Sequence, residues 1–398
     1  MKKITLSLLF LCLIGSTCAL QAQYVGKAPA HVIFVIEENY SYAKIIGSAY
    51  APTFTWLSKQ SYVANLTNDY AITHPSEPNY LELFSGSDQG VTTDEIGPDA
   101  SAPFSDCNMA SSMIQKGYTF KGYAETQPSV GWYQTNNGNY VTKHCPWINW
   151  VGGSNADSVP IKDMVPFAPI GTYYPDSTHY STLPTLSWVI PNLVDDMHDP
   201  YTASTAISNG DAWFKTNIMP LVRWASNPAN NTVVIAIWDE DDGSASNNIP
   251  LLICSGLVKG GTYTTPKTNH YSVYKMIEEM YSITPQCGSS ATATDITSNL
   301  WNAVYTGVNT VNEPVDQVNT WPVPAKDELN MNIISSTEGK ASIGMYDITG
   351  RLVKQMPAEL KIGDNNFIVS TNDISNGVYF LNITGDKINI CKKIVVGR

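Results

Sequence analysis

The chain has 398 residues, 43% of them hydrophobic and 15% charged, and a net charge of −12. That length and apolar content can bury one large core and a smaller one, which excludes global disorder. The carboxylate excess argues against nucleic acid or an anionic lipid surface as a bulk partner.

In chain order, Lys2 and Lys3, the mostly apolar run Ile4 to Ile14 and the small residues ending near Ala22 read as a secretory signal over residues 1–22. Cleavage is expected before Gln23. Cys18 raises lipoprotein processing, but Gly15-Ser16-Thr17 is a poor lead-in to it. No later segment has the roughly 18 consecutive apolar residues of a membrane span, so no transmembrane segment is expected. Residues 31–36 (HVIFVI) are apolar and β-branched and run straight into Glu37-Glu38-Asn39, the pattern of a buried strand delivering polar groups at its end. Residues 232–238 (TVVIAIW) repeat it, followed by Asp239-Glu240-Asp241-Asp242-Gly243. Leu186 to Ile190 and Pro250 to Cys254 are further strand candidates. Helical signals fall at Tyr80–Phe84, around Trp213–Trp224 and at Tyr271–Met280. This alternation predicts an α/β fold with a mostly parallel sheet. In such sheets ligands bind beyond the C-terminal ends of the strands, where both acidic clusters lie.

Residues 307–325 are rich in Asn, Val, Pro and Thr and read as a linker. Beyond it, over residues 326–398, short strand and turn signals follow closely: 341–348, 351–355, 366–370, 378–383 and 388–396. They predict a small β-sandwich. Met345-Tyr346-Asp347-Ile348-Thr349-Gly350-Arg351, Asn376-Gly377-Val378-Tyr379-Phe380 and the closing Lys392-Lys393-Ile394-Val395-Val396 make this tail resemble the C-terminal sorting domain of the type IX secretion system of Bacteroidetes. The resemblance implies that machinery as a partner. The alternative for such a tail is a carbohydrate-binding or adhesive sandwich.

Five cysteines follow the signal: Cys107, Cys145, Cys254, Cys287 and Cys391. An exported chain can form disulfides. Cys107 and Cys145 bracket an irregular aromatic-rich region and are the preferred pair, while Cys254 lies in an apolar run that buries it. The odd count leaves at least one thiol without a partner in the chain. No pair has CxxC spacing, which argues against a zinc-thiolate site.

Candidate chemistry starts at Thr73-His74-Pro75-Ser76-Glu77-Pro78-Asn79-Tyr80, where a serine opens a helix two residues after a histidine. A hydroxyl there faces unpaired N–H groups and the positive end of the helix dipole, which suits an oxygen nucleophile that briefly carries a phosphoryl group. The plain alternative is a helix cap in a Pro-shaped turn. A phosphoesterase also needs a cation and donors for the phosphate oxygens. Glu38 and Asn39 end one strand and Asp239 and Glu240 another, so at one sheet edge they would offer oxygen ligands to a hard or borderline divalent ion. Asp239, Asp241 and Gly243 faintly resemble an EF-hand loop, but the glycine falls one place early. Of the six histidines, His31 and His179 read as structural. His74, His144, His198 and His270 lie in polar, turn-like contexts and together point to a shared site.

Residues 31–42 (HVIFVIEENYSY) resemble the opening motif of the bacterial phosphoesterase family, which holds acid phosphatases and phosphatidylcholine-type phospholipases C and is related to the alkaline phosphatase superfamily. His74-Pro75-Ser76, Asp196-Met197-His198-Asp199, Trp238-Asp239-Glu240-Asp241 and Asn269-His270-Tyr271-Ser272 match its later motifs in the same order, over roughly residues 30–285. The resemblance implies an αβα sandwich over residues 23–306 and one divalent metal (Ca, Mg, Mn or Zn) held by Glu38, Asn39, Asp239 and Glu240. It implies Ser76 as nucleophile, His198 and His270 as acids, and His74, Asn79, His144 and Asp196 around the phosphate. Tyr40 departs from the His or Arg of many relatives, and Cys145 from a common Asn. The expected activity is an exported phosphomonoesterase of acid-phosphatase type, secreted or at the cell surface. A phospholipase C-like phosphodiesterase is the alternative, and a binding protein that kept the fold without activity is the rival from another class.

Overall fold

An apolar β-branched run without polar alternation belongs to a strand covered on both faces. Residues 31–37 form such a strand, with Val32 to Ile36 fully buried. The computed structural model describes residues 28–296, 300–302, 317–335, 338–361, 363–385 and 389–397. The expected signal at 1–22 and residues 307–316 of the expected linker lie outside them. The chain divides into two compact units, Met1–Val308 and Asn309–Arg398.

The first unit holds a nine-stranded sheet: β1 (His31–Glu37), β2 (Val63–Tyr70), β3 (Phe120–Ala124), β4 (Met164–Pro166), β5 (Leu186–Ile190), β6 (Thr232–Trp238), β7 (Asn248–Cys254), β8 (Gly261–Tyr263) and β9 (Thr268–Asn269). The order is β4-β3-β5-β1-β6-β7-β2-β8, with β9 also pairing β2. Only β7 is antiparallel to its neighbours β6 and β2. Two reversals return β2 to the direction of β1, β5 and β6, so all four strands end at one edge.

Among the described residues seven α-helices accompany the sheet: α1 (Tyr42–Ile45), α2 (Pro52–Leu57), α3 (Ser76–Ser85), α4 (Met109–Gln115), α5 (Ala203–Asn217), α6 (Met219–Ala225) and α7 (His270–Met280). The helical signal around Trp213–Trp224 is split because Pro220 sits in the first turn of α6, where its missing N–H costs nothing. α2 and α6 both pack on α5, and α4 and α7 on α3. Every residue of β5 and β6 is buried, so both sheet faces are covered. This is the expected α/β sandwich. Among the described residues no helix is long and apolar enough to cross a membrane.

The expected Cys107–Cys145 bridge does not form. Cys107 pairs with Cys287 across 180 residues, with Cα atoms 6.0 Å apart. Cys145 is a buried free thiol directed at the Val141 carbonyl. Cys287 reaches the site because the segment after α7 returns beside the end of α3. There Gly86 takes φ +72°, and an added Cβ would collide with the Cys287 carbonyl oxygen. Cys254 is free and buried in β7, as its apolar run implies. The side chain of Cys391 lies outside the described residues.

The second unit is all-β: β10 (Gln317–Trp321), β11 (Glu328–Ser335), β12 (Gly339–Asp347), β13 (Leu352–Leu360), β14 (Gly363–Ser370), β15 (Gly377–Gly385) and β16 (Asn389–Val396). They make two antiparallel sheets, β10-β11-β14 and β13-β12-β15-β16. Leu329, Met331 and Ile333 alternate inward from one sheet and Leu381 and Ile383 from the other, forming one core. Residues 317–321, read as linker, are instead a strand paired with β11. Their mixed composition hides the pairing because only every second residue needs to face the core. In the Ile348-Thr349-Gly350-Arg351 turn, Asp347 Oδ1 accepts from the N–H groups of Thr349 and Arg351, at 2.9 and 3.1 Å. Gly350 supplies φ +83°.

Candidate active site

β1 and β6 run in parallel register from His31 opposite Thr232 to Glu37 opposite Trp238. The ladder continues one step further, where Asp239 N–H donates to the Glu37 carbonyl at 3.0 Å. Glu38 and Asp239 therefore leave the sheet side by side. Glu38 N–H donates to the Asp196 carbonyl at 2.7 Å, which ties in the loop after β5. Asn39 turns the chain at φ +62°, a conformation its short polar side chain tolerates. Its N–H donates to Asp239 Oδ1 at 3.1 Å.

β2 leads to the same edge and into α3, whose first residue is Ser76, with Pro75 at the cap position. Ser76 is buried, and its Oγ lies 3.1 Å from Glu38 Oε2 and 3.5 Å from Glu240 Oε1. The hydroxyl caps nothing; Asp94 Oδ1 takes the next helix N–H, that of Glu77, at 3.0 Å. Asn79, the expected phosphate donor, hydrogen-bonds within the serine turn. Its Oδ1 accepts from Ile72 and Thr73 N–H, both at 3.1 Å, and its Nδ2 donates to the Thr73 carbonyl at 2.8 Å and to Glu240 Oε2 at 3.2 Å. With its amide so engaged, Asn79 staples the serine turn to Glu240.

The four histidines converge, with unequal access. His198 keeps 14% of its side chain exposed and is oriented by Asp199 Oδ1, 3.1 Å from Nδ1. Its N–H group on the main chain donates to Asp196 Oδ1 at 2.8 Å. His74 is half-exposed, with Nδ1 2.9 Å from Glu240 Oε2 and Nε2 3.4 Å from Asp241 Oδ1. His144 is fully buried, with Nε2 3.0 Å from Glu38 Oε1 and Nδ1 3.2 Å from Asp196 Oδ2. His144, expected at the phosphate, lies between these two carboxylates. Asp196 is buried and contacts both the His144 ring and the His198 main chain. His270, expected as an acid, is fully buried, and its Nε2–H donates to the Asp239 carbonyl at 2.7 Å. Burial lowers its pKa to about 4, so it stays neutral and fixes the end of β6.

Three carboxylates thus crowd around one hydroxyl. Burial, then the neighbouring Glu38 and Glu240, push Asp239 far above the usual carboxylate range. Burial and Glu38 likewise raise Glu240. Burial opposes the Glu38 charge, but the His144 imidazolium prevails and holds Glu38 below its ordinary value. Asp239 Oδ2 is buried without a hydrogen-bond partner. Converging oxygen donors with an orphaned buried oxygen and mutual repulsion fit a divalent cation. The His144 contacts are at ion-pair distance without hydrogen-bond alignment, and Glu38, His144 and Asp196 form a buried group that could itself hold a metal ion.

Sequence reading missed Tyr80, Lys143 and Asp94. Tyr80 Oη donates to Glu38 Oε1 at 2.7 Å, and its ring stacks on His144 at 5.0 Å between centroids. Four-residue helical spacing from Ser76 was the available signal for it. Lys143 Nζ lies 2.7 Å from Asp94 Oδ2, a contact no local pattern announces.

The Phosphoesterase family matches residues 51–284 and the Secretion system C-terminal sorting domain matches residues 319–397. The chain is 37% identical over 305 residues to a phosphatidylinositol-3-phosphatase of Mycobacterium tuberculosis, covering 73% of this chain and 93% of that one. It is 28% identical over 312 residues to an acid phosphatase of Aspergillus fumigatus, covering 74% of this chain and about two thirds (66%) of the fungal one. A solved alkaline phosphatase superfamily protein from Vibrio parahaemolyticus overlies 85% of this chain and 84% of its own, at 13% identity and a TM-score of 0.46.

Proposed function

The chain belongs to the phosphoesterase family and is a hydrolase of phosphate esters, and from that premise we propose an exported, metal-dependent phosphomonoesterase of acid-phosphatase type that works through Ser76. The observation that carries this reading is the Ser76 hydroxyl at the start of α3, 3.1 Å from Glu38 Oε2 and 3.5 Å from Glu240 Oε1. Both relatives carry names of phosphatases, which supports monoester over diester cleavage. The sorting domain over residues 319–397 supports export through type IX machinery to the cell surface or medium.

Glu38, Asn39, Asp239 and Glu240 would hold one divalent ion, which when bound supplies the positive charge that makes a serine hydroxyl acidic enough to react. Ser76 Oγ attacks the phosphorus as its proton leaves toward Glu240 Oε1, the more basic of the two carboxylates in reach, and the bond to the leaving alcohol breaks. His198 Nε2 gives that alcohol a proton, with Asp199 holding the ring by Nδ1. Water then attacks the phosphoserine and passes a proton to His198, Ser76 recovers its own proton, and inorganic phosphate departs. Asn79, His144 and His270 act by fixing the serine turn, Glu38 and Asp239 respectively.

The test is acid quench of the enzyme with a slow substrate, followed by peptide mass spectrometry. Phosphate on Ser76 is expected, and Ser76→Ala should lower kcat by on the order of 10³-fold or more. Near-normal turnover of that variant returns Ser76 to a structural part of the helix turn. p-Nitrophenyl phosphate should be cleaved in preference to p-nitrophenylphosphorylcholine; the reverse order favours the phosphodiesterase.

A further inference from the structure

A phosphate monoester brings about two negative charges at neutral pH into a site whose nearest side chains are Glu38, Asp239 and Glu240. Lys143 is a cation tied to the serine turn through Asp94. Lys143 directly precedes His144, whose Nε2 is 3.0 Å from Glu38 Oε1. Its Nζ donates to Asp94 Oδ2 at 2.7 Å, and Asp94 Oδ1 accepts from Glu77 N–H, the amide following Ser76, at 3.0 Å. The lysine head is therefore two hydrogen bonds from the backbone next to Ser76. Its side chain keeps only 14% exposure, so it is sheltered yet reachable. An ammonium has three donors, and Asp94 takes one.

The segment that carries Asp94 is latched twice onto α3, because Glu95 N–H donates to Glu77 Oε2 at 2.6 Å. A long flexible lysine pinned by a carboxylate that is itself pinned to the nucleophile helix is placed in advance, and little entropy is lost when it meets an anion. A solvated surface pair would have neither the shelter nor the second anchor. We propose that Lys143 binds the phosphoryl oxygens of the substrate and of the product phosphate, with Asp94 as the residue that positions it. This rests on the reading of Ser76 as the reacting group.

The experiment measures inhibition by inorganic phosphate, together with KM and kcat for p-nitrophenyl phosphate, in the full chain carrying Lys143→Gln, Lys143→Arg or Asp94→Asn. Lys143→Gln should raise the phosphate inhibition constant by roughly 10- to 100-fold, the weight of one charge-assisted hydrogen bond. Lys143→Arg should recover most of that loss, and Asp94→Asn should move KM and the inhibition constant the same way by less. A folded Lys143→Gln enzyme with wild-type phosphate inhibition overturns the assignment. Should that variant fail to fold, Asp94→Asn decides: a raised constant supports the assignment and an unchanged one overturns it. Ser76→Ala separates the two readings. If it stays active while Lys143→Gln loses phosphate, the nucleophile is misassigned and the anion site stands; if it is dead while Lys143→Gln inhibits normally, only Lys143 falls.

Discussion

The two units bury different chemistry. Among the described residues, the first unit buries the carboxyl groups of Glu37, Glu38, Asp69, Glu77, Glu82, Asp196, Asp211, Asp239, Glu240, Asp241 and Glu278, whereas the buried polar side chains of the second are the neutral Ser335, Asn365 and Thr371. Burying a carboxylate costs several kcal/mol unless it is paired or neutralised. In the first unit three of these groups, Glu38, Asp239 and Glu240, gather at the strand ends beside Ser76. The second carries none of that cost, since alternating apolar side chains from two sheets suffice for its core.

Chelation should produce the sharpest contrast. Excess chelator is expected to abolish phosphatase activity, and Glu38→Ala to weaken metal binding and turnover without unfolding the unit. Full activity with no metal found by elemental analysis breaks the comparison, because the crowded carboxylates would then need another account.

Protons should separate the units more gently. Asp69 and Glu278 are raised to about 7 and Glu82 to about 8, in each case chiefly by burial. Their folded pKa values exceed the unfolded ones, so the stability they contribute is complete below about pH 4 and is lost as pH rises through 7 to 8. By calorimetry the first unit should melt several degrees lower at pH 8 than at pH 5, with the second changing less. Equal shifts in both would show that the buried carboxyls are not the source.

The smallest expected effect is on activity after loss of the tail. A chain ending at Val308, the limit of the first unit, should keep its specific activity while failing to reach the surface in a host with type IX machinery. Loss of hydrolysis from a truncated chain that remains folded would make the second unit part of the catalyst.

The sequence by itself determined the strand cores, the polar strand ends and the serine at a helix start. Those features are local: β-branched apolar runs demand burial on two faces, and a Pro-bounded turn sets where α3 begins. Composition could not disclose that residues 317–321 pair as a strand, since a half-buried strand needs only alternate apolar positions. Partner choice was decided in three dimensions. The bridge from Cys107 to Cys287 spans 180 residues and exists because the segment after α7 returns to the end of α3. Likewise four histidines look alike along the chain, yet His270 is buried against a backbone carbonyl, His144 is buried between two carboxylates, His198 keeps 14% exposure and His74 is half-exposed. A residue's type sets what chemistry it can do; desolvation and the charges packed around it decide which of those it does.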